Sequence, residues 1–173
     1  MALWFCDFGR HPPPLPEGTA ATLSDTNVAY PAQALAQVAP TWAIVYREPA
    51  VHAALLATGL RLYTAPDALV HQARPPIALG AALRERFVWG RSYGGTRPGL
   101  TRVARLARAA AAPVLPALLT WRVMATAVRR GGHLGRALGC APYIVLLQGA
   151  WATGEALGYL TNRPDGRRAP ASP

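Results

Sequence analysis

The sequence predicts an α/β domain followed by apolar, membrane-associated helices. Three observations carry that prediction. Between Trp42 and Arg91, helical and alternating hydrophobic patterns succeed one another at short intervals. From Gly99 onward the alternation gives way to long apolar stretches punctuated by arginine. The composition is 51% hydrophobic and only 15% charged over 173 residues, with a mean hydropathy of +0.14, unusual for a water-soluble domain.

Taken in order, residues 1–8 are an aromatic-rich run, Leu3, Trp4, Phe5 and Phe8, with the character of an interior element whose preceding neighbour lies outside the sequence. HPPPLPEG at 11–18 follows as a connector, because successive prolines forbid helix and central strand. Ser24, Asp25 and Asn27 stand just before a helical pattern beginning near Pro31. They read as capping residues, with the floor of a pocket as the alternative for Asp25 and Asn27.

The stretch 42–91 organises the rest. Glu48 opens a helix in which Val51, Leu55, Leu56 and Leu60 recur at helical spacing, and Gly59 is placed to stop it. A short strand is expected over Leu60–Tyr63 and a second, buried one over Ala68–Val70, separated by a turn at Pro66-Asp67 and ending at His71. After Pro75-Pro76 a further helix carries Arg84, Arg86 and Arg91 on its polar face. An acid, a histidine and a basic helix thus lie within fifty residues, the best site candidate in the chain. Each residue also has a plainer reading. Glu48 suits any helix start, His71 a structural strand end, and the arginines a solvated surface.

Eighteen basic residues, all arginine, against eight acidic give a net charge of +10. That charge suits anionic lipid or a phosphorylated substrate. Nucleic acid is disfavoured, since no aromatic-interleaved basic stripe or known binding motif occurs. Cys6 and Cys140 lack the spacing of a disulfide framework or zinc site. The first residues lack the basic and apolar regions of a signal peptide.

Arg102, Arg105 and Arg108 track one helical face, as in a helix lying on an anionic membrane surface. The segment 109–128 is long enough to cross a bilayer but contains Arg122, which favours an interfacial placement. The segment 137–162 is the stronger membrane candidate, with Tyr143, Trp151 and Tyr159 as interface anchors and Glu155 against a simple span; a buried helix packed on its neighbour is the alternative. Arginine flanks every apolar segment, so attachment to one leaflet fits better than two crossings. The expected organisation is 1–98, 99–162 and a disordered tail, 163–173.

The order FCDFGRHPPPLP, LSDTNVAYPAQAL, REPAVHAALLATGLRLYTAPDALVHQARP and LRERFVWGRSYG resembles the C-terminal half of a family-2 glycosyltransferase of the membrane-associated bacterial kind. The resemblance covers residues 3 to about 97 by motif and continues by character through the apolar C-terminus. It implies a partial GT-A fold, the acceptor side of an enzyme that passes a sugar, with inversion, from a nucleotide-sugar donor to a glycan or lipid-linked acceptor of the cell envelope, at the cytoplasmic face of the membrane. Glu48 then corresponds to the general base. Asp25 and Asn27 lie where the family has a substrate-lining loop, although Pro31 replaces its arginine. His71 matches a histidine near the metal and diphosphate. Arg86, Trp89 and Arg91 match, in kind, residues that meet the leaving diphosphate or the acceptor. The complete enzyme is expected to use Mg or Mn held by a DxD motif; no DxD occurs in residues 1–173, and the resemblance places it before Met1. A non-catalytic membrane-peripheral module and a small integral membrane protein are the alternatives.

Overall fold

The computed structural model describes residues 1–9, 15–43, 46–68, 70, 73, 75–97 and 99–163. They fall into two compact units, 11–74 and the combination of 1–10 with 75–173, each described by itself below. Among the described residues the chain is mostly helical with one small sheet, a mixed class.

In the unit 11–74, strands β1 (Gly18–Ala20) and β2 (Leu62–Thr64) form an antiparallel pair with Thr19 opposite Tyr63. Helices α2 (Ala32–Gln37), α3 (Ala39–Trp42) and α4 (Glu48–Ala57) complete it. Pro49 sits in the first turn of α4, where a missing N–H costs nothing, and Gly59 ends the helix at φ +85°. Val51, Leu55 and Leu62 pack with Ala34 and Val38 into a small core. The expected strand at 60–63 is found at Leu62–Thr64, starting two residues later and ending one later. The second expected strand is not: among the described residues Ala68 and Val70 are irregular, and Val70 is 62% exposed, so its apolar character there reflects no core. Nor do Ser24 and Asn27 cap α2. Residues 25–27 form their own tight 3-10 turn, and Pro31 occupies the cap position of α2 without a side-chain bond.

The other unit is a helical assembly of α1 (Ala2–Phe8), α5 (Leu79–Gly95), α6 (Arg102–Ala111), α7 (Leu115–Arg130) and α8 (Leu134–Thr161). Thr101 caps α6 by accepting from Ala104 N at 3.2 Å, and the α6–α7 junction holds Pro113 and Pro116. At 28 residues α8 is the axis against which α1, α5, α6 and α7 all pack. The boundary drawn from sequence after residue 98 falls inside this unit, because α5 belongs with the C-terminal helices.

What binds α5 to α8 is glycine. A Cβ on Gly90 or Gly94 would run into the carbonyl oxygens of Trp151 or Glu155, and one on Gly154 or Gly158 into those of Phe87 or Arg91. A four-residue step along α5 thus matches a four-residue step along α8 in the same direction. The helices run parallel with their backbones in contact, the small-xxx-small packing frequent between helices in lipid.

A second core, Phe5, Val123, Ala127, Ala137 and Ile144, joins α1, α7 and α8. Next to it, burial pushes the Cys6 thiol up to about 11, with the Arg86 guanidinium pulling the other way. Cys6 therefore stays protonated near neutrality. Its alkylation is expected to run about a hundredfold slower than that of an ordinary exposed thiol at pH 7.5 and to accelerate as pH rises towards 11. A mass-spectrometric time course reads this directly. Because the unfolded thiol ionises first, the fold should also lose stability as pH climbs through that window.

Membrane character is distributed differently from the sequence expectation. Among the described residues, Arg102–Arg130 is the one helical stretch long and apolar enough to cross a membrane. The favoured segment, 137–162, is the central packing helix. Of its three expected anchors only Tyr143 is exposed, while Trp151 and Tyr159 turn inward to Glu155.

Candidate functional site

In the unit 11–74, polar side chains converge on the first turns of α4. Glu48 stands at the helix start, where the N-terminal end of the macrodipole favours a carboxylate. One turn on, His52 is wholly buried, its Nδ1 3.8 Å from Glu48 Oε1. Leu23 N–H donates to that same Nδ1 at 3.4 Å, so the other nitrogen, Nε2, carries the proton. Nε2 lies 2.6 Å from the hydroxyl of Tyr30 and donates to it, and Tyr30 in turn reaches the hydroxyl of Tyr46 at 3.2 Å. A ring bonded at both ends holds a fixed orientation beneath the carboxylate. Glu48 itself is 23% exposed. The arrangement offers an acid at the surface, backed by a buried imidazole, from which a relay of two phenols leads outward. It can accept a proton from an approaching hydroxyl.

His52 was not singled out from sequence. Its position one turn after Glu48, between Val51 and Leu55, was the available signal, but a histidine on an apolar face is ordinary core material. Asn27, expected on a pocket floor, donates from Nδ2 to Ala68 O at 2.6 Å and ties two loops together. The side chain of Asp25 and all of His71 lie outside the described residues.

Arg86, Trp89 and Arg91 belong to the other unit, on α5. Arg86 is mostly buried rather than on an open polar face. Its guanidinium donates to Asp7 Oδ1 at 2.6 Å and to Gln148 Oε1 at 3.3 Å, and lies 4.7 Å from the ring centre of Trp151. Trp89 is 62% exposed. The main chain of Arg91 lies against Gly154 and Gly158. Further along α8, Glu155 is 8% exposed and accepts from Trp151 Nε1 at 2.9 Å and Tyr159 Oη at 2.8 Å, while Arg97 donates to Tyr159 Oη at 3.1 Å.

These bonds give Arg86 a structural task. Arg86→Met is expected to cost about 3 kcal/mol, because Asp7 and the buried Gln148 lose their donor together. Chemical denaturation of the single and double variants with Asp7→Asn should show strong non-additivity, since both remove one pair.

Among the described residues no three of His, Cys, Asp or Glu come together as a metal site. No step below is routed through a divalent cation. No family model, no curated protein and no solved structure matches the chain.

Proposed function

We propose that residues 1–173 provide the acceptor side of an inverting, family-2-like sugar transferase working at a membrane, with a partial GT-A architecture. The observation that carries this reading is Glu48: an acid at a helix start, partly exposed, set over a buried and oriented histidine, at the position where the resemblance expects the general base. In the reaction Glu48 takes the proton of the acceptor hydroxyl. The freed oxygen attacks the anomeric carbon from the face opposite the leaving group. The bond from that carbon to the diphosphate oxygen breaks, and the nucleoside diphosphate departs with both electrons. Arg86 is committed to Asp7 and Gln148 and is given no part in this step. Holding the donor nucleotide is not assigned to these residues.

The test compares membranes of cells that make the protein with membranes of the same cells lacking its coding sequence. Labelled sugar should pass from at least one nucleotide-sugar to a lipid-extractable or polymeric acceptor only in the first. No difference with any donor would sink the reading. A non-catalytic membrane module is the second reading, favoured by the burial of Arg86 in an internal ion pair. Titration calorimetry helps here: a module binds neither nucleotide-sugar nor acceptor glycan.

A further inference from the structure

We infer that the α7–α8 pair seats in the headgroup region of an anionic bilayer by one exposed apolar face, lying in the membrane plane rather than crossing it. This inference does not depend on the sugar-transfer reading. On α7, Leu118, Trp121 and Val128 recur at helical spacing and are all exposed, Trp121 by 65%. On α8, Leu138, Val145 and Leu146 do the same. With about 3.6 residues per turn, that second stripe falls on the side of α8 away from Gly154 and Gly158, hence away from α5. Exposed apolar stripes of this kind mark an interaction face.

Charge identifies the occupant. No acidic residue occurs between Glu85 and Glu155. Arg102, Arg105 and Arg108 lie before one end of the face, and Arg129, Arg130 and Arg136 bound the other. Apolar side chains between clustered guanidinium groups match a surface whose acyl layer lies beneath phosphates. An acidic protein partner would want the charges across the face rather than at its ends.

The parallel register of α5 decides the orientation. Were α8 to cross with Arg136 at one headgroup layer, Gln148, twelve residues on, would be roughly 18 Å deep in a hydrocarbon core about 30 Å thick. Arg86 bonds to Gln148, and the exposed Arg84 and its neighbour Glu85 sit on the same turns of α5. Arg84 would then lie near the bilayer centre, facing lipid, where a charge is strongly disfavoured. With the pair in plane, α5 stays on the watery side and only the uncharged stripes and Arg122 enter the interface, where a long arginine reaches back to phosphate.

Vesicle flotation tests this with phosphatidylcholine alone and with about one third of the lipid replaced by phosphatidylglycerol. Partitioning should be at least about tenfold stronger on the anionic vesicles and weaken with added salt. Val145→Glu combined with Leu146→Glu, at exposed positions that leave the circular dichroism unchanged, should lower it about tenfold or more. In a Cys6→Ser, Cys140→Ser background, Leu134→Cys and Leu160→Cys mark the two ends of α8. After addition to intact vesicles, the two ends should respond alike to a membrane-impermeant maleimide, both shielded or both labelled. Equal binding to both vesicle types overturns the anionic-lipid assignment. Protection of one end alone overturns the in-plane orientation. A lipid-free dimer that the double glutamate variant dissolves, with no vesicle capture, assigns the face to a second copy and overturns the inference.

Discussion

Gly154→Ala is expected to destabilise the helical unit by about 3 kcal/mol or more, with Gly158→Ala comparable. The added methyl at 154 would collide with the carbonyl oxygen of Phe87 and sit 2.9 Å from Arg91 N; at 158 it would meet the carbonyl of Arg91 and come 2.6 Å from Gly95 N. These are backbone atoms, which cannot swing aside as a side chain can. The helices must separate, and every contact along the seam loosens together. Gly139→Ala supplies the control, since nothing lies within 4 Å of its added Cβ. There the usual helical preference for alanine should raise stability by up to about 1 kcal/mol. Thermal melts followed by circular dichroism separate the outcomes. Equal effects at 139 and 154 would mean that the seam is not closely packed.

Glu48→Gln is expected to lower sugar transfer by about 10²- to 10⁴-fold, the usual contribution of a positioned general base. The amide keeps the shape of the carboxylate but cannot accept the acceptor's proton. Because Glu48 is partly exposed, the substitution should leave the melting temperature within a few degrees of the parent, which distinguishes a lost base from a lost fold. Introduced at the native coding position and assayed in membranes, undiminished transfer would remove Glu48 from the role.

Local chemistry made much of the unit 11–74 readable. Glu48, Pro49 and Gly59 bracket α4 because dipole, fixed φ and left-handed backbone each act within one turn. The helix after Pro75-Pro76 was legible for the same reason. What escaped was decided at long range. Arg86 looked like a surface cation until Asp7 and Gln148, far away in sequence, enclosed it. Val70 looked like core, yet no neighbour covers it. The apolar run of 137–162 suits a lipid-facing or a buried helix equally, and one side of it is taken up by α5 through glycines whose spacing means nothing until the partner helix is known. His52 escaped because burial and a phenol partner, neither written in its neighbours, make it more than filler.

The helical unit draws on residues from both ends of the chain, with α8, its common partner, coming last. During synthesis α1 and α5 therefore leave the ribosome long before the surface that shelters them exists. Phe5 and the glycine-lined side of α5 have no native neighbour on α8 until residues 137–158 emerge. Vectorial folding cannot finish this unit piecemeal: its early segments keep their apolar sides unpaired until the last helix arrives.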